Sequence, residues 1–367
     1  MNFDLSDDQR MLRDQARRFL EQNAKPRQIL EGDASFDQDL WKKIADLGWM
    51  GTGLSEDDGG IGLTHIDLCV IAEEMGRSLA PIPFASSVYM AREAIALAGT
   101  ADQKANHLPA LSNGAAIGCL ATAEGNGPLS PKAIRAEVTG GKLSGTKTPV
   151  TDGDVANLAV VAARSGSEIG LFLVDLTGPG VSRQTIETID PTRSHATLTF
   201  ANAPAEQLGN LADGWANLEA TLDRAAVMLA FEQVGGAQKC LEDAKDYALN
   251  RYAFGRPIAS FQAIKHKLAD VYMKTELARS NAYYGAWALA TGAPELPVAA
   301  AAARVAGSKA FVFAAEENIQ THGGMGFTWE FDCHMYLRRA KHLALTIGGE
   351  RKWKDRLVSQ LEQRNAA

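Results

Sequence analysis

Apolar residues change their spacing twice along this chain. Up to about Leu111 they recur at helical intervals: Met11, Leu12, Ala16, Phe19 and Leu20 share one face, and Ser6-Asp-Asp-Gln9 in front of them reads as a capping box. A loop follows at Glu56-Asp-Asp-Gly59-Gly60-Ile61-Gly62, and helical spacing resumes over 66–79 until Pro81 and Pro83 stop it. Between about Ala116 and Leu208 the texture turns to short strands, expected at 133–138, 158–163, 169–175 and 196–200 and punctuated by Gly140-Gly141 and Gly178-Pro179-Gly180. From Trp215 helical spacing returns almost to the C-terminus, with long runs over 222–249 and 299–320. This order predicts an α+β protein: an N-terminal all-α domain (1–115), a middle antiparallel β-domain (116–212) and a C-terminal four-helix-bundle domain (213–367).

Composition narrows the chemistry. The chain has 367 residues, 46% hydrophobic and 22% charged, enough for two or three domains with real cores. A net charge of -7 argues against a nucleic-acid binder, although local Lys and Arg can still hold an anionic coenzyme. Cys69, Cys119, Cys240 and Cys333 are far apart with no C-x-x-C, so they read as thiols of a reducing compartment, and no metal is expected. The acidic start does not resemble a signal peptide and no apolar run is read as a membrane span, which makes the cytoplasm the expected location.

Two segments carry candidate chemistry. The first is Arg251-Tyr-Ala-Phe-Gly-Arg-Pro-Ile-Ala-Ser-Phe-Gln262, where Phe254-Gly-Arg-Pro257 interrupts the long helix. Arg251 then sits at a helix end, where a fixed guanidinium meets a phosphate with two parallel hydrogen bonds, or else serves as a cationic partner of the helix dipole. Phe254 offers a flat face to a ligand or packs in the core. The second is Gln320-Thr-His-Gly-Gly-Met-Gly-Phe327, where Gly323, Gly324 and Gly326 end a helix and let backbone come close to a ligand. No strand precedes this glycine cluster and no βαβ unit surrounds it, so a nicotinamide-binding Rossmann domain is disfavoured.

Together these segments resemble the flavin-gripping segments of the acyl-CoA dehydrogenases, and the helical, β, helical order is similar to that family over the whole chain. The resemblance implies FAD as cofactor. Arg251, Phe254 and Gln262, with Gln320, Gly323 and Gly324, would hold the FAD diphosphate and adenine of a neighbouring subunit, which requires an oligomer. The Glu56–Gly62 loop also resembles a loop between early helices of the family. Gly145-Thr-Lys-Thr-Pro-Val-Thr-Asp-Gly153 corresponds to the family turn that covers the flavin ring: Thr151 keeps its place toward the N5/O4 edge, while Pro149 replaces the usual Trp. A second family signature survives only as Ala121-Thr-Ala-Glu-Gly125, which makes Thr122 either a flavin contact or an ordinary strand threonine.

By the same resemblance the reaction is oxidation of an acyl-CoA thioester to its enoyl form, which needs a base for the α-proton and the flavin for the β-hydride. Neither base position of the family carries an acid: Ile347 occupies one and Ala225 the other. Nearby carboxylates are Glu350, three residues past Ile347, and Glu232, two helical turns from Ala225; Asp223 matches a substrate-side Asp of the family. Each is alternatively a surface or capping carboxylate. The segment from Gly326 to Arg339 resembles a bacterial branch associated with steroid and other bulky acyl-CoA substrates, with His334 either paired to Glu330 or lining a site. That branch includes heterotetramers of two related chains. Expected partners are therefore an acyl-CoA substrate, an electron-transfer flavoprotein or similar acceptor, and further subunits in a homotetramer or heterotetramer. Rival expectations are a flavoprotein of this fold doing other acyl-CoA chemistry, such as desulfination, and a partner subunit that completes the FAD site of a sister chain.

Overall fold

The computed structural model describes residues 5–366. In chain order the helices are α1 (Asp7–Asn23), α2 (Pro26–Glu31), α3 (Gln38–Asp46), α4 (His65–Arg77), α5 (Glu93–Ala98), α6 (Ala101–Ser112), α7 (Gly214–Asn250), α8 (Gln262–Thr291), α9 (Leu296–His322), α10 (Cys333–Leu345) and α11 (Glu350–Ala366). A π-helical segment, Ala85–Arg92, runs into α5. Between α6 and α7 lie β1 (Gly118–Ala121), β2 (Glu137–Thr139), β3 (Lys142–Thr151), β4 (Leu158–Ser165), β5 (Glu168–Asp175), β6 (Val181–Thr185), β7 (His195–Pro204) and β8 (Glu206–Gln207). The expected strand at 133–138 shrinks to β2, because a turn closes at Ala133 and the N–H groups of Arg135 and Ala136 go to the Glu124 carboxylate instead of a neighbouring strand.

By contact the chain divides into two compact units. One comprises residues up to Ala24, Cys69–Ala80 and everything from Ala226 on; the other comprises Lys25–Leu68 and Pro81–Ala225.

The first unit is helical. Its α1 starts as the sequence suggests, with Ser6 and Gln9 capping each other reciprocally. Inside it, α4 and α7 cross at two glycines: a Cβ on Gly76 would overlap the carbonyl oxygen of Glu232, and one on Gly235 would overlap that of Glu73. No other residue allows backbones so close. Charges buried by the crossing are paired. Arg17 grips Glu74 with two hydrogen bonds of 3.0 and 2.8 Å, Arg279 meets Glu73, and Arg77 meets Glu242. Along α9, Ala299, Ala300, Ala301, Ala303 and Ala310 are buried. The segment Leu296–Phe327 is long and apolar enough to cross a membrane, contrary to the expectation that no run reaches that length, yet 61% of its most apolar window is buried inside the protein, as in a core helix.

The second unit is built on the sheet, ordered β6-β7-β3-β2-β4-β5-β8, with β1 pairing β4 in parallel. β4 is buried along most of its length and reads as an uninterrupted apolar run, whereas β3 alternates. The β3–β7 ladder shifts register between Lys147 and Val150, where Pro149 has no N–H to give. At the start of α5, Glu93 is held by Arg92 at 2.8 Å, His65 at 3.1 Å and Arg224 at 3.1 Å. Cys69, Cys119, Cys240 and Cys333 are all buried, and none of them is in a disulfide.

Candidate flavin and substrate site

Immediately after α7 the chain makes a minimal hairpin, Tyr252–Ala253 against Arg256–Pro257. Its two turn residues, Phe254 and Gly255, have φ of 53° and 75°. A two-residue turn with both φ positive is the tight hairpin form that ordinarily carries Asn or Gly. A phenylalanine there costs about 1–2 kcal/mol of backbone strain, and the ring gains no burial in return. Phe254 is 95% exposed and stands edge-to-face with Phe261, ring centroids 6.2 Å apart. The core alternative for Phe254 is therefore excluded. Arg256 lies over Phe261, 4.1 Å from the ring centroid, and braces the hairpin.

Beside it, Arg251 continues the helix by a backbone bond to Tyr247, while its exposed guanidinium has no hydrogen-bond or ion-pair partner among the described residues. Gln262, which opens α8, and Gln320, in the last turn of α9, are also exposed. α9 stops at Gly323, φ 61°, and a Cβ at Gly323 or Gly324 would meet nothing within 4 Å. Arg251, Phe254, Gln262, Gln320 and Gly324 are all exposed, and Gly323 is half-buried. Farther along, Trp329 stacks on His334 with centroids 4.7 Å apart.

In the other unit, Thr151 is the last residue of β3 and its hydroxyl meets Nε2 of His195 on β7 at 3.2 Å. Thr122 lies one residue past β1, in a segment bridged to β3 at Glu124 and Thr148. Its carbonyl receives Lys147 Nζ at 3.4 Å, and the same ammonium, fully buried, reaches Glu124 at 2.6 Å. A cavity of about 300 Å³ opens here, lined by Glu124, Arg135, Ala136, Gly145, Thr146 and Thr148. Burial would raise the Glu124 pKa, but Lys147 and the backbone N–H groups of Ala136 and Arg135 outweigh it and hold it low. Glu124 is thereby spent on structure. The sequence does carry a sign of this: Lys147 falls two and four residues after Gly145 and Leu143, on the buried parity of β3, where an unpaired ammonium would be costly.

The base positions differ in setting. Ile347 has φ 58°, a conformation that β-branched residues avoid. Glu350, opening α11, is exposed and bound to Lys309 at 3.3 Å and to Lys354, whose hydrogen bond leads in lowering its pKa. Glu232 is fully buried, 3.6 Å from the equally buried Arg339. Arg304 also faces Glu232; burial pushes its pKa down to about 9, although that carboxylate opposes the shift. Arg304 donates to the Leu343 and Thr346 carbonyls just before Ile347. Ala225 and Asp223 are buried in the first half of α7. His195, Lys147 with Glu124, and Glu93 with its partners Arg92, His65 and Arg224 escaped the sequence reading.

Residues 6–115 match the acyl-CoA dehydrogenase N-terminal domain and residues 212–351 the acyl-CoA dehydrogenase C-terminal domain. The acyl-CoA dehydrogenase IpdE2 of Mycobacterium tuberculosis is 34% identical over 97% of this chain and 98% of its own length. The chain belongs to the acyl-CoA dehydrogenase family. It is accordingly an oxidoreductase of an FAD-dependent family, with the family's helical, β, helical fold. Among solved structures, a variant of the Tcur3481–Tcur3483 steroid acyl-CoA dehydrogenase superposes with a TM-score of 0.89 and 32% identity, covering 98% of this chain and 99% of that one. The ChsE4–ChsE5 complex from Mycobacterium tuberculosis does so with 0.89 and 26% identity, covering 99% of each chain. The exposed Arg251 guanidinium and Phe254 ring suit an anionic, aromatic dinucleotide such as FAD, and the open Gly323-Gly324 turn lets it approach, so the residues present fit the cofactor.

Proposed function

We propose that this protein catalyses FAD-dependent α,β-dehydrogenation of an acyl-CoA thioester, and that its flavin site is completed between subunits. The observation that carries this is the strained, exposed Phe254 near Arg251, whose guanidinium has no partner among the described residues. Backbone strain survives where something outside the local fold uses it. FAD supplies the hydride acceptor when bound. Arg251, Gln262, Gln320 and the Gly323-Gly324 turn would hold the diphosphate and adenine of a neighbour's flavin, Phe254 would cover it, and Thr151, with Thr122 beside β3, would face the isoalloxazine edge of the chain's own flavin. Asp223 stays on the substrate side. Glu350 is the first candidate for the base and Glu232 the second. The three-part division at 115/116 and 212/213 belongs to the same reading, as do an electron-transfer flavoprotein as acceptor and a cytoplasmic location.

A bulky or steroid-like acyl group is the substrate class we favour, because a steroid acyl-CoA dehydrogenase is among the structural relatives. A specific observation supports a second reading. Ile347 and Ala225 leave both family base positions apolar, and the ChsE4–ChsE5 relative is a complex of two different chains. In a heterotetramer this chain would complete the flavin site of a catalytic sister.

The test is flavin retention. Arg251→Ala removes a charge-assisted contact of about 1.5–3 kcal/mol, which is roughly ten- to a hundredfold in affinity. The wild type should purify yellow and at least dimeric by light scattering, and the variant should lose most of its flavin. Full flavin absorbance in Arg251→Ala, or a flavin-loaded monomer, would overturn the intersubunit site. A wild type that binds FAD but is bleached by no acyl-CoA would favour the partner-subunit reading.

A further inference from the structure

His322 is the last residue of α9, buried and one position before the open glycine turn. Its ring is oriented from several sides. Nδ1 lies 2.8 Å from the Asn318 carbonyl oxygen one turn back, and since a carbonyl only accepts, Nδ1 donates and the ring plane is fixed. The ring lies over Tyr247 of α7, tilted by 31° with centroids 4.1 Å apart. Phe331, just before α10, meets both rings edge-on, at 5.6 Å from His322 and 6.1 Å from Tyr247. Gly326 closes over the same histidine. A Cβ there would come within 3.1 Å of His322 Cβ and overlap the Ile319 carbonyl oxygen, so the turn that starts at Gly323 folds back onto α9.

These contacts tie together two helix ends that are far apart in sequence. The Arg251 backbone N–H donates to the Tyr247 carbonyl at 2.8 Å, so Arg251 follows the Tyr247 ring by one helical turn, and Gly323-Gly324 follows His322 directly. Past these points both helices give way, α7 to the Phe254 hairpin and α9 to the short 3-10 turn Gly323–Phe327. The stacked pair is thus the last side-chain contact before each exposed segment, and it sets the spacing between the Arg251 guanidinium and the glycine turn. A guanidinium fork and a backbone edge hold one diphosphate together only when that spacing is fixed in advance.

We propose that His322 is a positioning residue for the flavin site: stacked on Tyr247, it couples Arg251 to the Gly323-Gly324 turn and presents the two to a neighbour's FAD as one rigid platform. This rests on the proposed placement of FAD against those segments. The ring itself is buried and acts through its neighbours. A ring that only filled the core would stabilise the fold without coupling the two segments, and FAD affinity separates the two roles.

The test measures FAD dissociation constants of the full-length protein alongside its stability to denaturant. His322→Leu, which fills the space without a ring or an N–H, should weaken FAD binding roughly ten- to a hundredfold, the size typical of losing a group that orients a binding residue. His322→Phe keeps the stack on Tyr247 and should bind FAD nearly as tightly as wild type. In an Arg251→Ala background His322→Leu should cost clearly less than it does alone, because the guanidinium it places is already gone. Full additivity, a His322→Leu protein that binds FAD like wild type, or a Phe variant as weak as the Leu variant would overturn the proposal. Should His322→Leu fail to fold, Tyr247→Leu removes the stack from its half-buried side and must show the same loss and the same non-additivity. If Arg251→Ala itself keeps its FAD, the flavin placement has failed rather than the coupling.

Discussion

The Glu232 carboxylate lies 3.6 Å from the Arg339 guanidinium, with both side chains fully buried. Arg304 faces the same carboxylate from α9. A carboxylate placed this way balances two buried cations, and removing it leaves them uncompensated. Breaking one side of a buried pair typically costs about 3–5 kcal/mol. Glu232→Gln should therefore lower the unfolding free energy, measured by denaturant titration, by an amount in that range at neutral pH. If instead the variant is as stable as wild type and flavin bleaching by acyl-CoA falls about a hundredfold, Glu232 is the base.

Phe254 offers a test of strain against function. Replacing it with Asn keeps a residue that tolerates positive φ and relieves about 1 kcal/mol or more at the turn. Phe254→Asn should raise thermal stability of the flavin-free protein while weakening FAD retention. A variant that is both stabler and equally well loaded would show that the ring has no role at the flavin.

Those two residues also mark what the sequence could and could not tell. The helix ends around Arg251 and Gly323 were legible because Gly, Pro and a lost apolar period leave local signatures, and α7, α8 and α9 follow from helical spacing alone. The sheet was legible only in part. β4 and β5 are long apolar runs, but β2 is three residues long and set by its neighbours, so the expected strand over 133–138 was misplaced. The buried charges were least legible. Nothing in the spacing of Thr151 and His195, or of Glu232 and Arg339, says they meet, since a β-ladder register and a helix packing bring them together. The exposed state of Phe254 contradicts its hydrophobicity and depends on a turn type that Phe-Gly does not advertise.

Glu93 predicts how the second unit responds to acid. Burial alone would raise its pKa, but His65, Arg92 and Arg224 outweigh burial and hold it well below the usual carboxylate range. A carboxylate whose folded value lies below its unfolded one stabilises fully above the unfolded value, near 4.3, and loses that contribution as pH falls toward the folded value. Stability should therefore decline steeply below about pH 4.3, as protons enter the unfolded chain first. Glu93→Gln should be less stable at neutral pH and show a shallower acid limb. An acid limb of unchanged slope in the variant would mean that other carboxylates carry the transition.

The base remains the point on which the two functional readings divide. Glu350 lies nearest in sequence to Ile347 and follows the Gly348-Gly349 pair, but Lys354 and Lys309 hold its pKa low, which makes it a weaker proton acceptor. For Glu350 to act, a bound acyl-CoA must draw it away from both lysines. Glu350→Gln should then slow flavin bleaching by at least about a hundredfold, and Lys354→Met, which frees the carboxylate, should leave bleaching intact or faster. Ile347→Glu provides the complement, since it restores a carboxylate at the family position and removes a β-branched side chain from φ 58°. If Glu350→Gln bleaches normally and Ile347→Glu bleaches faster than wild type, the native chain lacks a base of its own and works with a sister subunit. If Glu350→Gln alone abolishes bleaching, the chain is a self-sufficient dehydrogenase with its base displaced by three residues.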